Sequence, residues 1–391
     1  MKIVFDSTVL VSNFHMTGPS FRLLEWFLKN RQARLVVPRI VLAEVKNKYL
    51  EQAKECIEAA SKELRGLSRI LDHDFKIPVS LYDLGDYHET YSKSLERKLT
   101  DLEAEMPDHK DIPHEDIVAR DLSRRRPFRR IGKNKRYSVG YRDTLLWEVI
   151  LREVAPESDL VVFITGNRKD FCEESTGELH EHLQRDLIRR QLARDRVIVV
   201  DRIELFDDQY VRPEIPKIEE AKILLEQGKY YGFSVEEWLD ENSMELASKL
   251  EEQQSALDFL PVDIDAFSIE LIEDIHDLCF DEVLELDEDT VVIDISFRAS
   301  VSFELYFYGH AYVILYEDFY DSISVEEWPD DRGATVSIHF TMPINGSLMF
   351  DIENREVESF EASFQEAYGV CRYCGELFLS DAAETCPNCG R

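Results

Sequence analysis

The sequence predicts an α/β N-terminal domain with a parallel sheet flanked by helices, then an acidic, mostly antiparallel β (α+β) domain and a small cysteine-rich module. Strands and helices alternate over the first 202 residues, the charge changes sharply between the two halves, and four cysteines lie in the last 21 residues. At 391 residues, the chain is longer than a typical single domain. Its hydrophobic content of 44% excludes a mainly disordered chain.

The N-terminal domain is predicted to span residues 1–202. Short apolar runs rich in β-branched residues, typical of strands buried on both faces, are Lys2–Phe5, Arg34–Val37, Leu160–Thr165 and Val197–Val200. Segments with a helical pattern are Ser20–Asn30, Arg39–Leu71, Tyr82–Ala104, Tyr141–Glu153 and Glu178–Asp195. The alternation predicts parallel strands joined by helical crossovers.

The rest of the chain is predicted to form a helical connector at 203–258, an acidic β-rich domain at 259–368 and a terminal module at 369–391. The runs that predict strands of an antiparallel sheet are Thr290–Phe297, Val301–Phe307, Ala311–Tyr316, Ala334–Met342 and Gly346–Ile352.

The formal net charge of −33 argues, as an average, against a nucleic-acid partner. Residues 1–202, however, hold about 36 basic and about 34 acidic residues, against about 10 and about 45 in the remainder. The N-terminal part is therefore nearly neutral. The acid of the C-terminal part is a solvated face, a mimic of nucleic acid that shields basic residues, or a surface for a protein partner.

The sequence also indicates the compartment. It has no apolar run of roughly 18 residues, which predicts no membrane span. The first residues lack the pattern of a signal peptide, and the seven cysteines do not form a disulfide framework. These features predict a cytoplasmic protein.

Four acidic residues fall where strands end or helices begin. Asp6 follows the first strand, Glu44 lies one to two turns into the helix after the second, Asp143 opens a later helix, and Asp170 follows a third strand. Such positions converge on one crevice in an open α/β sheet. Each acid alone is as well explained as a helix cap or a surface charge, but four converging acids would repel each other and call for a divalent cation.

This arrangement resembles the PIN-domain nuclease family over roughly residues 1–202. Family members carry an Asp after the first strand, a Glu in the second helix, an Asp at the start of a later helix and a T-x-N/D turn after the fourth strand. The residues Gly140–Asp143 resemble the G-Y-[KR]-D motif of one subtype, and Thr165–Phe171 resemble its T-x-N-x-x-D-F motif.

The resemblance implies a metal-dependent endonuclease in which Asp6, Glu44, Asp143 and Asp170 hold Mg²⁺ or Mn²⁺ for phosphodiester hydrolysis. Much of the family has an acid where this chain has Asn167, so either Asp170 replaces it or Asn167 binds the metal, water or nucleic acid. RNA is the expected substrate. A PIN-like DNA nuclease and a non-catalytic regulatory or assembly protein are the alternatives.

A basic segment leads directly into Asp143, with Phe128, Tyr137 and Tyr141 interleaved. It is predicted to offset the repulsion between a phosphate backbone and an acidic site. The alternatives are a solvated loop and an internal partner of the acidic domain. The residues predicted to bind nucleic acid are Arg124, Arg125, Arg126, Arg129, Arg130, Lys133, Lys135, Arg136, Arg142, Thr165 and Asn167.

The terminal module contains two C-x2-C pairs, Cys371 with Cys374 and Cys386 with Cys389. Two such pairs are typical of a tetrahedral Zn²⁺ site, and the segment resembles a zinc ribbon. A redox dithiol is the competing interpretation. A structural zinc is expected, with protein contact favoured over nucleic-acid contact because the segment has few basic residues.

Overall fold

The protein is described here by a computed structural model. The residues that it describes are 1–73, 75, 84–131, 137–154, 160–173, 176–251, 257, 260, 264, 266–307, 323–330, 333–365, 369–370 and 377–378. The chain divides into two compact units, Met1–Glu214 and Ile215–Arg391.

The first unit is built on a four-stranded parallel sheet with the order β2-β1-β5-β6. These strands are β1 (Lys2–Phe5), β2 (Arg34–Val36), β5 (Val161–Ile164) and β6 (Val197–Val200). All four residues of β5 are buried, as expected for a strand covered on both faces. The four strands, their parallel pairing and the α/β class are confirmed.

Helices connect and flank this sheet. They are α1 (Ser7–Ser12), α2 (Pro19–Asn30), α3 (Arg39–Leu71), α4 (Leu84–Asp101), α5 (His114–Leu122), α6 (Tyr141–Glu153), α7 (Arg168–Phe171), α8 (Glu181–Arg189) and α9 (Ile203–Phe206). The bounds predicted for α3 and α6 agree with the structure.

One predicted helix was too long. The helical pattern over Glu178–Asp195 forms α8 only from Glu181 to Arg189. Gln191 takes a left-handed backbone conformation with φ of 61°, which ends the helical run, and residues Arg194–Arg196 form a separate 3-10 turn.

A hairpin precedes α6 in the basic segment. Its antiparallel strands are β3 (Arg129–Ile131) and β4 (Tyr137–Val139), with Arg129 opposite Val139. Gly140 follows β4 with φ of +113°, and a Cβ atom there would lie 2.7 Å from the carbonyl oxygen of Pro127. Only glycine fits this close approach, so Gly140 lets the hairpin lie directly against the start of α6.

The second unit is built on an antiparallel sheet, as predicted. Its strands follow the order β11-β10-β8-β7, and β9 also pairs with β10. The strands are β7 (Ala266–Glu285), β8 (Thr290–Phe307), β9 (Ile323–Asp330), β10 (Gly333–Asp351) and β11 (Glu356–Phe364), with a further pair β12 (Gly369–Val370) and β13 (Leu377–Phe378).

Two pairs of predicted strands are single long strands. Residues Thr290–Phe297 and Val301–Phe307 both belong to β8, because buried and less buried side chains alternate without interruption through Arg298 and Ser300. Ala334–Met342 and Gly346–Ile352 similarly lie on β10 up to Asp351. The strand predicted at 311–316 lies outside the described residues.

The segment expected to be a helical connector contains α10 (Glu219–Glu226), α11 (Val235–Glu241) and α12 (Ser243–Glu251). Their buried residues, including Leu225, Leu239 and Leu250, share one apolar cluster with the strands of the second sheet. Across the part of the chain that the structure covers, no helix is long and apolar enough to cross a membrane.

Candidate active site

Asp6 is fixed at the carboxyl end of β1, where it caps α1. One carboxylate oxygen accepts a hydrogen bond from the backbone N–H of Ser7 at 2.6 Å. The other accepts from the hydroxyl groups of Thr165 at 2.7 Å and Thr8 at 3.2 Å. Only 4% of Asp6 is exposed, so these donors offset its desolvation and hold it in one orientation.

Thr165 and Thr8 tie the loop after β5 to the loop after β1. The Thr165 hydroxyl accepts from the backbone N–H of Asn167 at 2.9 Å, and the Thr8 hydroxyl accepts from that of Gly166 at 2.9 Å. Thr165 was predicted to contact nucleic acid, but it is fully buried and its hydroxyl bonds to Asp6. Thr8 was not predicted from the sequence, although its position two residues after Asp6 could have indicated a contact with that acid.

Asp143 lies in the first turn of α6 and is the most perturbed acid of the crevice. Burial and, after it, the neighbouring charges of Asp170, Asp6 and Glu44 together raise the pKa of Asp143 to about 6, against the opposing charge of Arg142. The structure therefore places all four predicted acids close enough to influence one carboxyl group.

Glu44 projects from the second turn of α3. Burial raises the pKa of Glu44, and Asp6 contributes in the same direction, whereas the charge of Arg142 lowers it. The Arg142 guanidinium lies 2.5 Å from a Glu44 carboxylate oxygen. An arginine of the basic segment thus already neutralises one of the predicted ligands.

Asn167 joins two of the acids. Its amide nitrogen donates to Asp170 at 2.9 Å and to Asp143 at 3.3 Å. The sequence left open whether Asn167 binds the metal, and in this geometry its amide N–H groups, which are donors, face the two carboxylates.

Asp170 lies in the short helix α7 and is paired with two arginines. One carboxylate oxygen lies 2.6 Å from Nε of Arg129 and 3.6 Å from Nη1 of Arg126. The contact with Arg129 is an ion pair that lacks the alignment of a good hydrogen bond. The Asp170 side chain is only 5% exposed.

The donor set of the crevice suits a hard divalent cation, because Asp6, Glu44 and Asp143 offer carboxylate oxygens and their mutual repulsion is relieved by a positive charge. Within the described ranges, however, no three His, Cys, Asp or Glu side chains are grouped closely enough to hold one metal ion as they stand. The fit to Mg²⁺ or Mn²⁺ therefore rests on donor chemistry and electrostatics.

The predicted basic segment is partly committed to internal contacts. Arg125 pairs with Asp186, whereas Arg126 bonds to the Lys169 carbonyl. Arg124 and Arg130 are exposed. The remaining predicted basic residues, Lys133, Lys135 and Arg136, lie outside the described residues, as do the cysteines of the terminal module, Cys371, Cys374, Cys386 and Cys389.

A buried network of ion pairs and hydrogen bonds, which the sequence did not reveal, holds the basic segment against α6 and α8. Asp186 of α8 pairs with Arg120, which is 5% exposed, and with Arg125, and it accepts a hydrogen bond from Nε1 of Trp147 at 3.1 Å. Arg120 also donates to the backbone carbonyl of Arg126. Asp186 lay within a helix predicted from its pattern, where nothing distinguished it from a surface acid.

A parallel α/β sheet with four acids at its carboxyl edge, beside a basic segment, is typical of enzymes that hold divalent cations and act on phosphate esters. Residues 3–171 match the family model of the PIN domain. PIN domains are typically nucleases that depend on Mg²⁺ or Mn²⁺. The predicted resemblance is confirmed for these residues, whereas no zinc site is shown. Searches of curated proteins and of solved structures gave no match.

Proposed function

We propose that the N-terminal unit is a divalent-metal-dependent endonuclease that cleaves RNA. The observation that supports it most directly is the electrostatics of Asp143, whose pKa is raised to about 6 by burial and by three neighbouring carboxylates. Natural proteins place acids in such mutual repulsion at functional sites far more readily than elsewhere. The match of residues 3–171 to the PIN domain supports the same class of reaction.

Asp6, Glu44 and Asp143 are the proposed ligands of the metal. When bound, Mg²⁺ or Mn²⁺ supplies an activated water and stabilises charge on the phosphodiester in an in-line displacement. The protein holds these ligands in different ways: Asp6 is fixed by two threonine hydroxyls, and Glu44 is balanced by Arg142. Both hydroxyls donate to the same oxygen of Asp6, so removing one would weaken the fixed orientation of that oxygen and removing both would release it.

The basic segment is proposed to receive the phosphate backbone. It leads through Gly140 into Asp143, so a strand bound there passes the carboxylates. Exposed guanidinium groups at Arg124 and Arg130 offset the repulsion between phosphates and the acidic crevice. RNA is preferred over DNA on the resemblance to the family, and a DNA nuclease is the closest alternative.

Cleavage of a matched panel of RNA and DNA oligonucleotides in Mn²⁺ or Mg²⁺ tests the proposal. The unaltered chain should cut RNA faster than DNA, whereas Asp6→Asn should lower the cleavage rate by about 1,000-fold or more because it removes a ligand charge. Asp195→Asn, at an exposed acid between α8 and β6, is the matched control and should cut at the normal rate. Equal activity of the Asp6→Asn and Asp195→Asn proteins would refute the site.

A non-catalytic nucleic-acid-associated protein is the second candidate. The ion pairs Arg129–Asp170 and Arg142–Glu44 favour it, because arginines already compensate part of the acidic charge. Titration with Mn²⁺ separates the two, since the nuclease requires an ion bound by Asp6 and Asp143 and the alternative does not.

We further propose that the terminal module holds one structural Zn²⁺ through its two C-x2-C pairs, and that this module or the acidic domain contacts a protein partner. Elemental analysis of reduced protein purified without added metal should find about one zinc per chain. Replacing Cys371 and Cys386 together by Ser should abolish it, whereas replacing the scattered, exposed Cys56 and Cys279 should not. Zinc-free wild-type protein would contradict the ribbon.

A further inference from the structure

We propose that Asp170 is a positioning residue that holds Arg126 and Arg129 as a phosphate-binding surface, rather than a ligand of the metal. The inference deepens the proposed function and rests on it for the identity of the phosphates, which are those of a nucleic-acid strand. It separates Asp170 from the other three acids that the sequence grouped with it.

Each oxygen of the Asp170 carboxylate already has a partner: one is ion-paired and the other accepts a hydrogen bond. Arg129 and Arg126 lie at 2.6 and 3.6 Å from one oxygen, and Asn167 donates to the other at 2.9 Å. Asp143 contrasts with it, because the contact that its carboxylate receives across the crevice is the longer one from the Asn167 amide, at 3.3 Å. A dication at Asp170 would have to displace or approach two guanidinium groups, whereas a dication at Asp143 relieves repulsion.

The two arginines keep donors available for phosphate. A guanidinium has five N–H groups in a rigid fork, and Arg129 directs its Nε to Asp170, which leaves its two terminal nitrogens. The Arg129 side chain is 38% exposed and that of Arg126 is 21% exposed. An anchored, partly exposed fork loses less conformational entropy when it binds a phosphate than a free arginine does.

Independent contacts keep the backbone of this surface in place. The Arg126 guanidinium donates to the carbonyl oxygen of Lys169, next to Asp170, and the backbone N–H of Arg126 donates to Nδ1 of His182 at 3.1 Å. Gly140 packs against Pro127 between the two arginines. The arginine surface is therefore fastened both to α7 and to the start of α6, which carries Asp143.

Metal affinity tests the first half of the proposal with two charge-neutral double variants of the full chain. Asp170→Asn/Arg129→Gln should bind Mn²⁺ within about threefold of the unaltered chain, because it removes one acid and one base and no ligand. The matched variant Asp143→Asn/Arg142→Gln also removes one acid and its basic neighbour, and it should weaken Mn²⁺ binding by at least about tenfold. Calorimetric titration gives both affinities without any measurement of cleavage.

Binding of single-stranded RNA in EDTA tests the second half. Asp170→Asn adds one net positive charge, which by itself would tighten binding, yet it should weaken binding by about three- to tenfold because Arg126 and Arg129 lose their anchor. Each phosphate that the arginines no longer bind should also lower the log-log salt slope by roughly 0.7. Asp195→Asn adds the same charge away from these arginines and should bind as tightly as the unaltered chain or slightly more tightly.

The outcomes separate the hypotheses. Loss of Mn²⁺ affinity in the Asp170→Asn/Arg129→Gln protein would overturn the proposal and make Asp170 a ligand. Tighter RNA binding by Asp170→Asn would overturn it as well, since Asp170 would then only mask the arginines. If the single variant does not fold, the neutral double variant, which leaves no charge buried alone, should bind RNA no more tightly than Arg129→Gln alone, because Arg126 also loses Asp170. Tighter binding by the double variant would overturn the proposal. Absence of Mn²⁺ binding by the unaltered chain would refute the nuclease, while the RNA result in EDTA would still decide whether Asp170 anchors the arginines.

Discussion

Two carboxylates of the N-terminal unit, the buried Asp186 and the partly buried Asp143, have opposite surroundings. Asp186, whose side chain is 7% exposed, lies among Arg120, Arg125 and the indole N–H of Trp147. Asp143 lies among other acids, and burial together with those acids raises its pKa to about 6. The negative charge of Asp186 is neutralised by arginines of the chain itself. The negative charge of Asp143 is neutralised only in part, which leaves it available to an added cation.

The charge of the groups around an acid therefore separates structural from functional acids in one domain. A carboxylate surrounded by guanidinium groups stabilises the folded chain only while those groups remain paired. A carboxylate surrounded by carboxylates lowers the stability of the folded chain, which is tolerated where the charge serves binding or catalysis. Removal of the two charges should therefore change the free energy of unfolding in opposite directions.

The largest expected change in stability is at Asp186. Replacement by Asn leaves the buried Arg120 with one more distant carboxylate, Glu148 at 3.3 Å, besides the carbonyl of Arg126, and should lower the free energy of unfolding by about 3 kcal/mol. Denaturant unfolding at pH 7 measures it. The matched control is Asp116→Asn, an exposed acid in the first turn of α5, which should lower the free energy of unfolding by less than about 1 kcal/mol, the usual contribution of the helix dipole. An unchanged midpoint for Asp186→Asn would break the comparison.

A smaller change of opposite sign is expected for Asp143→Asn in metal-free protein. Because the folded pKa of about 6 exceeds the ordinary value of 3.8, the charge of Asp143 destabilises the fold increasingly as pH rises from about 4 through 6. Asn removes this penalty, so the variant should be more stable by about 1 to 2 kcal/mol at pH 7, below the full value of two pKa units because Asp143 is not fully buried.

The pH dependence sharpens this second test. The advantage of Asp143→Asn should vanish below about pH 3, where the carboxyl is protonated in both folded and unfolded chains, and should level off above about pH 7. Saturating Mn²⁺ should reverse it, since the ion stabilises only the chain that retains the ligand. A difference that does not vary between pH 4 and 7 would mean that Asp143 is not perturbed.

Much of the fold was readable from local pattern. The strands β1, β2, β5 and β6 are apolar apart from Lys2 and Arg34 at the starts of β1 and β2, and such runs predict a sheet covered on both faces. The strand β7 was missed because its alternation is broken by register shifts, with Asp274 and Asp277 in left-handed conformations. A periodic pattern cannot be followed through a bulge. The helix α5 was missed for a different reason, because it lies within a polar stretch of the sequence.

The sequence predicted which acids lie in the site, because they follow strands or begin helices, but it did not predict their partners. The positions of Asp6, Asp143 and Asp170 follow from topology, but the partners of each acid depend on tertiary packing. The pairing of Arg129 with Asp170 joins residues far apart in sequence, and no spacing rule connects them. The burial of Thr165 similarly depends on contacts that form only when β1 and β5 are adjacent.

The 20-residue strand β7 bears on the solubility of the protein. Among the described strands, β7 pairs with β8 on one side. On its other side Pro216 and Ile218 bond to the backbone of Glu285 and Val283, so the edge that invites pairing with another chain lies before Val283. Acids along it, including Glu270, Glu273 and Asp281, are exposed, and the bulges at Asp274 and Asp277 interrupt its ladder. Two such edges repel each other and cannot align, so the charge and the irregularity of β7 protect the molecule against aggregation through this sheet.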